Sequence, residues 1–127
     1  MAKLLLITSN DVFAMAYCAR LTRVGIEIER QATGREGLFR SRHWKPDLIL
    51  LDLTLPGMNG LDVLKYLRDV PWLVRVPVVL LVERATEHDL LEQCLLWGAH
   101  SVLYKESCSV QELVAHLQAV PTAPVHA

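Results

Sequence analysis

Polar residues stand directly after several short apolar runs of the sequence. Asp52 closes the run of residues 48–51, and Lys105 follows the run of residues 102–104. Thr8 and Ser9 follow the N-terminal run, and Val82 closes the run that begins at residue 77. If these runs are parallel strands, their carboxyl ends meet at one edge of a sheet, where ligands bind in open α/β folds. The chemistry available there is that of one carboxylate and one ammonium group among neutral side chains.

Five apolar runs alternate with five segments of helical periodicity, and these elements must position the polar residues. Short, continuous apolar runs are typical of strands buried on both faces of a parallel sheet. The segments between them carry helix signals, such as a capping box over residues 33–36 and a stop at Gly25. The predicted strands are residues 3–8, 26–29, 48–51, 77–82 and 102–104, and the predicted helices are residues 11–24, 33–44, 60–70, 86–98 and 109–119. This order predicts an α/β fold with helices on both faces of the sheet.

The composition limits the classes to which the chain can belong. With 127 residues, 52% of them hydrophobic and 21% charged, the chain has the size and apolar content of one globular domain. No apolar run approaches the ~20 residues of a membrane span, and no signal peptide is predicted. A net charge of -1 argues against nucleic-acid binding. Cys18, Cys94 and Cys108 have no disulfide or metal spacing, which favours reduced thiols and a cytoplasmic location.

The sequence also argues against an independent enzyme and against a small-molecule carrier. No Ser/His/Asp order, metal-ligand cluster or paired carboxylate stands at the strand ends, and the five histidines are scattered. No glycine-rich turn follows the first strand, as a phosphate-cradling loop of flavodoxin type would require. We therefore predict no enzymatic activity and no bound organic cofactor.

One stretch of the chain resembles a known family. The run Pro46–Gly60, with the sequence PDLILLDLTLPGMNG, is similar to the central signature of the receiver domain of two-component response regulators. The run PVVLL at residues 77–81, the pair Gly98-Ala99 and Lys105 fall at the positions that the family expects downstream. The resemblance covers residues 3–119. It implies a flavodoxin-like doubly wound (βα)5 sandwich with strand order 2-1-3-4-5, a domain over residues 1–119, and a tail or linker over residues 120–127.

The resemblance implies a role for each matched position. In the family, the aspartate at the end of the third strand accepts a phosphoryl group from a histidine kinase, and Asp52 occupies that position. An acidic pair after the first strand binds Mg²⁺, which neutralises charge during transfer. A Thr or Ser after the fourth strand and a Lys after the fifth bind phosphoryl oxygens, and Lys105 matches the lysine. An aromatic residue three positions before that lysine reports the state by rotating inward.

The sequence departs from the family pattern at three of these five places. The acidic pair aligns with Thr8 and Ser9, neutral groups that cannot replace two anionic ligands of Mg²⁺. The Thr/Ser position aligns with Val82, which offers no hydrogen-bond donor from its side chain. The aromatic position aligns with Val102, whose branched side chain has no comparable swing.

These departures predict a degenerate receiver, or pseudo-receiver, in which Asp52 is not phosphorylated at a useful rate. Phosphoryl transfer depends almost wholly on positioning and charge stabilisation. Loss of the metal removes several kcal/mol and loss of the hydroxyl roughly another 1–3 kcal/mol, which together slow transfer on the order of a thousandfold or more. We expect Asp52 to pair with Lys105 and no cofactor to bind. The alternative is a working phosphoacceptor that binds Mg²⁺ through Asp52, Thr54 and Asp11.

A receiver that cannot switch chemically can still bind a protein. In the family, the face formed by the fourth helix, the fifth strand and the fifth helix commonly makes dimer or partner contacts. Helical periodicity assigns Leu91 and either Cys94 or Leu95 to the core and directs Leu96 and Trp97 outward. The predicted partner is a second copy or another protein on this face, with a histidine kinase as a further candidate. The competing interpretation of Trp97, that it folds back over the sheet edge, stays open.

Overall fold

A computed structural model of the chain describes residues 2–107 and 109–122. Strands and helices alternate along it, and a short 3-10 helix (η1) precedes the fourth strand. In chain order the elements are β1 (Lys3–Ile7), α1 (Asp11–Arg23), β2 (Glu27–Gln31), α2 (Gly34–Trp44), β3 (Leu48–Asp52), α3 (Gly60–Arg68), η1 (Pro71–Leu73), β4 (Val78–Val82), α4 (His88–Leu96), β5 (Ser101–Tyr104) and α5 (Val110–Ala119). All paired strands are parallel, in the order β2-β1-β3-β4-β5. The predicted doubly wound fold with strand order 2-1-3-4-5 is confirmed.

The helices form one layer on each face of the sheet. α2 contacts β1, β2 and α3, and α3 contacts α4, whereas α1 contacts α5 on the opposite face. Each layer closes its own apolar core, one containing Leu64 and Cys94 and the other containing Tyr17 and Leu113. All residues of β3 and β4 are buried, because alternate side chains of these central strands enter the two cores.

Side chains at the N-termini fix where four of the helices begin. The N-cap residues Asn10, Thr33, Asn59 and Ser109 each accept a hydrogen bond from a backbone N–H in the first turn. α4 has no side-chain cap, and its N-cap residue is Glu87. Four helix starts are therefore encoded locally, and the fourth helix depends on its packing.

Several element boundaries differ from the sequence prediction by one or two residues. α4 begins at His88 instead of residue 86, because the Thr86 hydroxyl accepts a hydrogen bond from the Glu83 N–H at 3.2 Å and forms a turn. α3 ends at Arg68 instead of residue 70, before Pro71 opens η1. β2 extends to Gln31 because it pairs along the whole length of β1.

The apolar residues of α1 do not all face the core. Val12 and Met15, which are spaced one turn apart at the start of the helix, are largely exposed. Ala14, Tyr17 and Leu21 are buried instead. The helix itself is confirmed, but alanines and half-polar residues along it made the two faces hard to distinguish from sequence.

Several expectations concern the chain ends and the cysteines. No helix in the two described segments has the length and apolar character needed to cross a membrane. Cys18 and Cys94 are free thiols, and burial raises the pKa of both. Cys108 and residues 123–127 of the predicted tail lie outside the described residues. Val120, assigned to that tail, packs in the core beside α5.

Candidate functional site

Asp52 lies at the carboxyl end of β3 with both side-chain oxygens engaged. Its Oδ1 accepts a hydrogen bond from the Thr54 N–H at 3.0 Å and forms an ion pair with Lys105 Nζ at 2.8 Å. Its Oδ2 accepts a hydrogen bond from the Thr8 hydroxyl at 2.9 Å. Asp52 is only 1% exposed. A buried carboxylate is costly unless it is paired and hydrogen-bonded, and here it has a partner on each oxygen.

The strand register brings these residues together from three parts of the sequence. Ile7 of β1 pairs with Leu51 of β3, so the residue after each, Thr8 and Asp52, are neighbours. Lys105 continues the ladder beyond β5, where its N–H donates to the Val82 carbonyl at 2.9 Å. Its side chain crosses the end of β4 to reach Asp52. The predicted proximity of the polar strand ends follows directly from the parallel strand order.

Thr8 has a larger part in the site than its sequence position suggested. Besides donating to Asp52, its hydroxyl accepts a hydrogen bond from the Asn10 N–H at 3.2 Å. Thr8 is fully buried, whereas the next residue, Ser9, is exposed. The sequence analysis treated both only as neutral replacements for acidic residues. The missed signal was a hydroxyl residue and an aspartate at equivalent ends of two strands predicted to lie at the same sheet edge.

Asp11 does not join this cluster. Its side chain is 81% exposed and forms an ion pair with Arg30 at 2.8 Å. Arg30 also donates from Nε to the Thr8 carbonyl at 2.9 Å. A guanidinium from β2 therefore ties the start of α1 to the end of β1, close to Asp52. Arg30 was not among the predicted site residues, because the predicted second strand ended at residue 29.

The remaining predicted positions surround the ion pair. Val82 is fully buried, and Val102 is partly buried against the core beneath α3 and α4. Glu106, next to Lys105, accepts the Arg84 N–H with both carboxylate oxygens, at 3.1 and 3.0 Å. That hydrogen bond, more than any charge nearby, lowers the pKa of Glu106. It joins the loop after β4 to the loop after β5, a contact that the sequence analysis did not anticipate.

Comparison with known protein families shows to which family the chain belongs. The model of the response regulator receiver domain matches residues 4–118. The chain belongs to this family. Its receiver domain is 37% identical over 91 residues to the transcriptional regulatory protein AfsQ1 of Streptomyces coelicolor, covering 72% of this chain and 39% of AfsQ1. It is 32% identical over 85 residues to the polar-differentiation response regulator DivK of Brucella anthropi, covering 67% of this chain and 69% of DivK.

Solved structures agree with the fold of this receiver. The chemotaxis protein CheY4 of Vibrio cholerae matches with a TM-score of 0.87 and 26% identity, over 95% of this chain and 99% of that chain. The receiver domain of a sensor histidine kinase of Pseudomonas aeruginosa, which has a magnesium ion coordinated in its active site cleft, matches with a TM-score of 0.82 and 26% identity, over 99% of this chain and 98% of that chain. The chain spans about half or less of the length of several curated relatives, 51% for the PhoB protein of Rhizobium meliloti.

The residues of this receiver are a poor fit for the Mg²⁺ that its family implies. Mg²⁺ binds through carboxylate oxygens in near-octahedral geometry. Among residues 2–107 and 109–122, no group of three His, Cys, Asp or Glu side chains is arranged to hold a metal ion. Both oxygens of Asp52 are engaged, Thr8 uses its proton on one of them, and the nearby Arg30 guanidinium is itself a cation. We derive no chemical step through this metal.

The end of α4 presents the predicted apolar residues in two directions. Leu96 is 85% exposed and points outward, as expected. Trp97 is 43% exposed, and its ring lies 5.5 Å from Lys65 Nζ, so it faces α3. Leu91 is partly buried and Cys94 is buried, whereas Leu95 is half exposed, so of the two predicted alternatives Cys94 is the core residue. Leu96 is the most exposed large apolar residue of this helix, and Leu95 is half exposed beside it.

Proposed function

We propose that this receiver is a degenerate signalling module, which acts through protein–protein association and does not accept phosphate at Asp52. The observation that carries the proposal is the state of the Asp52 carboxylate. Lys105 and the Thr54 N–H engage one oxygen, and the Thr8 hydroxyl engages the other. A nucleophile held in this way must lose existing hydrogen bonds before it can attack phosphorus.

Two further features support this proposal. The side chain at the hydroxyl position, Val82, supplies no donor for a phosphoryl oxygen. At the position of the acidic pair, Thr8 donates to Asp52 and Ser9 is uncharged, so charge on an incoming phosphoryl group lacks a divalent counterion. Each missing interaction raises the barrier to transfer, while the retained Lys105 already has a partner.

A second candidate function is phosphorylation of Asp52 by a histidine kinase. It is favoured by the retained Asp52 and Lys105, which lie 2.8 Å apart in a receiver fold. The relatives AfsQ1 and DivK are a transcriptional regulatory protein and a response regulator, respectively. The two candidates differ in one measurable property, the ability of the Asp52 carboxylate to form an acyl phosphate.

The deciding experiment treats the purified chain with Mg²⁺ and a small phosphodonor such as acetyl phosphate, followed by intact-mass measurement. We expect no phosphorylated species, and no heat of binding when beryllofluoride replaces the donor. A stoichiometric phosphoryl adduct that is lost in Asp52→Asn would refute the proposal. A triple variant, Thr8→Asp/Ser9→Asp/Val82→Thr, restores the family residues and serves as the control in which some modification is expected.

The proposed partner surface centres on α4, with β5 and α5 beside it. Leu96 is its most exposed apolar residue, and Tyr104 at the end of β5 is also exposed. Exposed apolar side chains of this size, with the half-exposed Leu95 beside them, favour contact with another protein. A second copy, another protein or a histidine kinase are the candidate partners. A cytoplasmic location stays a prediction drawn from the free thiols.

A further inference from the structure

The outer surface of the α2–α3–α4 layer carries large exposed apolar residues on all three helices. Phe39 on α2 is 65% exposed, Tyr66 on α3 is 52% exposed, and Leu96 on α4 is the third. Leu95 on α4 is half exposed as well, and exposed charged residues flank Phe39 and Leu96. Exposed apolar residues on three adjacent helices, with charged residues between them, form a broad, mixed surface of the kind found at protein interfaces.

Charge is divided unequally between the two sides of this layer. Residues 32–45, which contain α2, include four Lys or Arg and one Glu. Residues 85–104, which contain α4, include three acidic residues and no Lys or Arg. On α2, Arg35 and Arg42 are exposed one turn to either side of Phe39. On α4, Asp89 and Glu92 are exposed before Leu96, and Glu92 also pairs with His88 at 3.0 Å.

The opposite layer offers no such complement. α1 exposes Val12 and Met15, and its C-terminal turn carries Arg20 and Arg23. α5 has one acidic residue, Glu112, whose backbone N–H donates a hydrogen bond to the hydroxyl of the N-cap residue Ser109 at 3.1 Å. A basic helix end beside a nearly uncharged helix provides little electrostatic reason for self-association through that layer.

The direction of the helices determines how two copies could meet. α2, α3 and α4 each return from the carboxyl end of one parallel strand to the amino end of the next, so the three helices run in the same direction. Consider two copies whose α2–α3–α4 layers face each other, related by a two-fold axis that is parallel to α3 and lies between the two copies of α3. This axis places the α2 of each copy opposite the α4 of the other. The same axis brings the two copies of Tyr66 close together at the centre.

We infer that a second copy of this chain is the partner of α4, in a two-fold dimer that places the basic α2 of each copy on the acidic α4 of the other. This inference rests on the proposed function, names the partner of α4, and extends the contact from α4 across α3 to α2. The contact is isologous, so each dimer contains the α2–α4 pairing twice. Opposite charges at both pairings select this arrangement over α2 on α2 or α4 on α4, which would place like charges together.

The test measures mass against concentration by sedimentation equilibrium for the wild type and two charge-reversal variants. One variant, Arg35→Glu/Arg42→Glu, makes α2 acidic, and the other, Asp89→Lys/Glu92→Lys, makes α4 basic. We expect the wild-type mass to rise from the 14.3 kDa monomer toward twice that value and to fall again with added salt. Each variant alone should dimerise at least about tenfold more weakly, because its two faces carry like charges.

Mixing the two variants gives the sharper result. An equimolar mixture should recover dimers, since the acidic α2 of one meets the basic α4 of the other and the native pair remains at the second contact. Arg20→Glu/Arg23→Glu on α1 is the matched control with the same charge change, and it should dimerise like the wild type. Circular dichroism checks that every variant is folded.

Three outcomes would overturn the dimer. They are a wild type that stays monomeric at all concentrations, an α2 variant that dimerises as well as the wild type, and a mixture that does not recover. The second of these would indicate a symmetric contact through α4, β5 and α5 without α2. None of them affects the proposed function, which fails only if Asp52 becomes phosphorylated in the mass experiment.

Discussion

Two polar clusters lie at opposite ends of the sheet and have opposite charges at their centres. At the carboxyl ends of the strands, the Asp52 carboxylate accepts donors from Thr8, Thr54 and Lys105. At the amino ends, the guanidinium of Arg68 on α3 donates to five backbone carbonyls. These carbonyls belong to Leu73, Val74, Val76, Trp97 and Gly98, at distances from 2.9 to 3.4 Å. Burial lowers the pKa of Arg68 from the ordinary arginine value, but the group stays charged at neutral pH.

Asp52, a residue of the family signature, and Arg68, which lies outside that signature, are bound in similar ways. Each charged centre joins segments that are distant in sequence, and each has its hydrogen-bonding capacity largely used within the fold. Asp52 belongs to a family motif and Arg68 does not, yet both serve here to hold loops in place. The difference that remains is accessibility, because Asp52 is buried whereas Arg68 lies half-buried beneath exposed loops.

The largest effect is expected for Lys105→Met, which removes the cation from the buried pair. Asp52 would then be a buried carboxylate with only the Thr8 and Thr54 donors. Loss of one partner of a buried ion pair typically costs about 3–5 kcal/mol, because the remaining charge is left uncompensated. Urea denaturation, read as the change in midpoint at constant slope, measures this loss.

A double variant separates the charge from the packing. Asp52→Asn/Lys105→Met replaces both charges with neutral groups of similar size, and it should recover a substantial part of the lost stability. If the double variant is as unstable as Lys105→Met alone, the cost lies in the packing of the lysine stem beside Phe13 and not in the unpaired carboxylate.

A smaller effect is expected for Arg68→Met at the other end of the sheet. The substitution leaves the five carbonyls without their donor, but several of them lie in exposed loops where water can replace it. Hydrogen bonds to charged groups contribute about 1.5–3 kcal/mol, and we expect a loss near the lower end of that range. Thermal unfolding compared with Arg68→Lys tests this, since a lysine cannot reach both sets of carbonyls. A loss as large as that of Lys105→Met would mean that exposure does not distinguish the two clusters.

The two clusters also show which parts of the structure the sequence could predict. The strand order and the meeting of Thr8, Asp52 and Lys105 follow from apolar runs and from the rule that carboxyl ends of parallel strands share an edge. The Asp52–Lys105 ion pair was expected, and Lys105 Nζ lies 2.8 Å from Asp52 Oδ1. The Arg68 contacts were not predictable, because a helix residue that donates to carbonyls five to thirty positions away leaves no periodic signal in the sequence.

The outward faces of the helices were predicted less well than the strands. In α1, polar and apolar residues are mixed around the whole helix, so the buried side was decided by packing against α5 and β2. In α4, Cys94 and Leu95 are adjacent apolar residues. Cys94 packs into the core beneath α3 and α4, and Leu95 is half exposed. Helical periodicity identifies such segments but does not choose between neighbouring faces of similar hydrophobicity.

The hydroxyl of Thr8 is the third donor to the Asp52 carboxylate, and its contribution to stability can be tested separately. Thr8→Val keeps the shape of the side chain and removes the hydroxyl that donates to Asp52 Oδ2. The buried oxygen would then lack a donor, and we expect a loss of about 1–2 kcal/mol. Thr8→Ser, which keeps the hydroxyl, is the matched control and should lose less. If both variants lose the same stability in urea, the hydroxyl does not hold the carboxylate.

The smallest effect is expected at Glu106, whose carboxylate lies on the surface beside the Asp52 cluster. The Arg84 N–H holds the pKa of Glu106 below the ordinary glutamate value, so this group favours folding at any pH above that ordinary value. The contribution is lost as the pH falls through the lowered pKa, since protonation weakens the bond to the amide. In an acid titration followed by NMR, the Arg84 amide resonance should shift with a midpoint below the ordinary glutamate pKa. The shift should be absent in Glu106→Gln, and a midpoint at or above the ordinary value would contradict the hydrogen bond that joins the two loops.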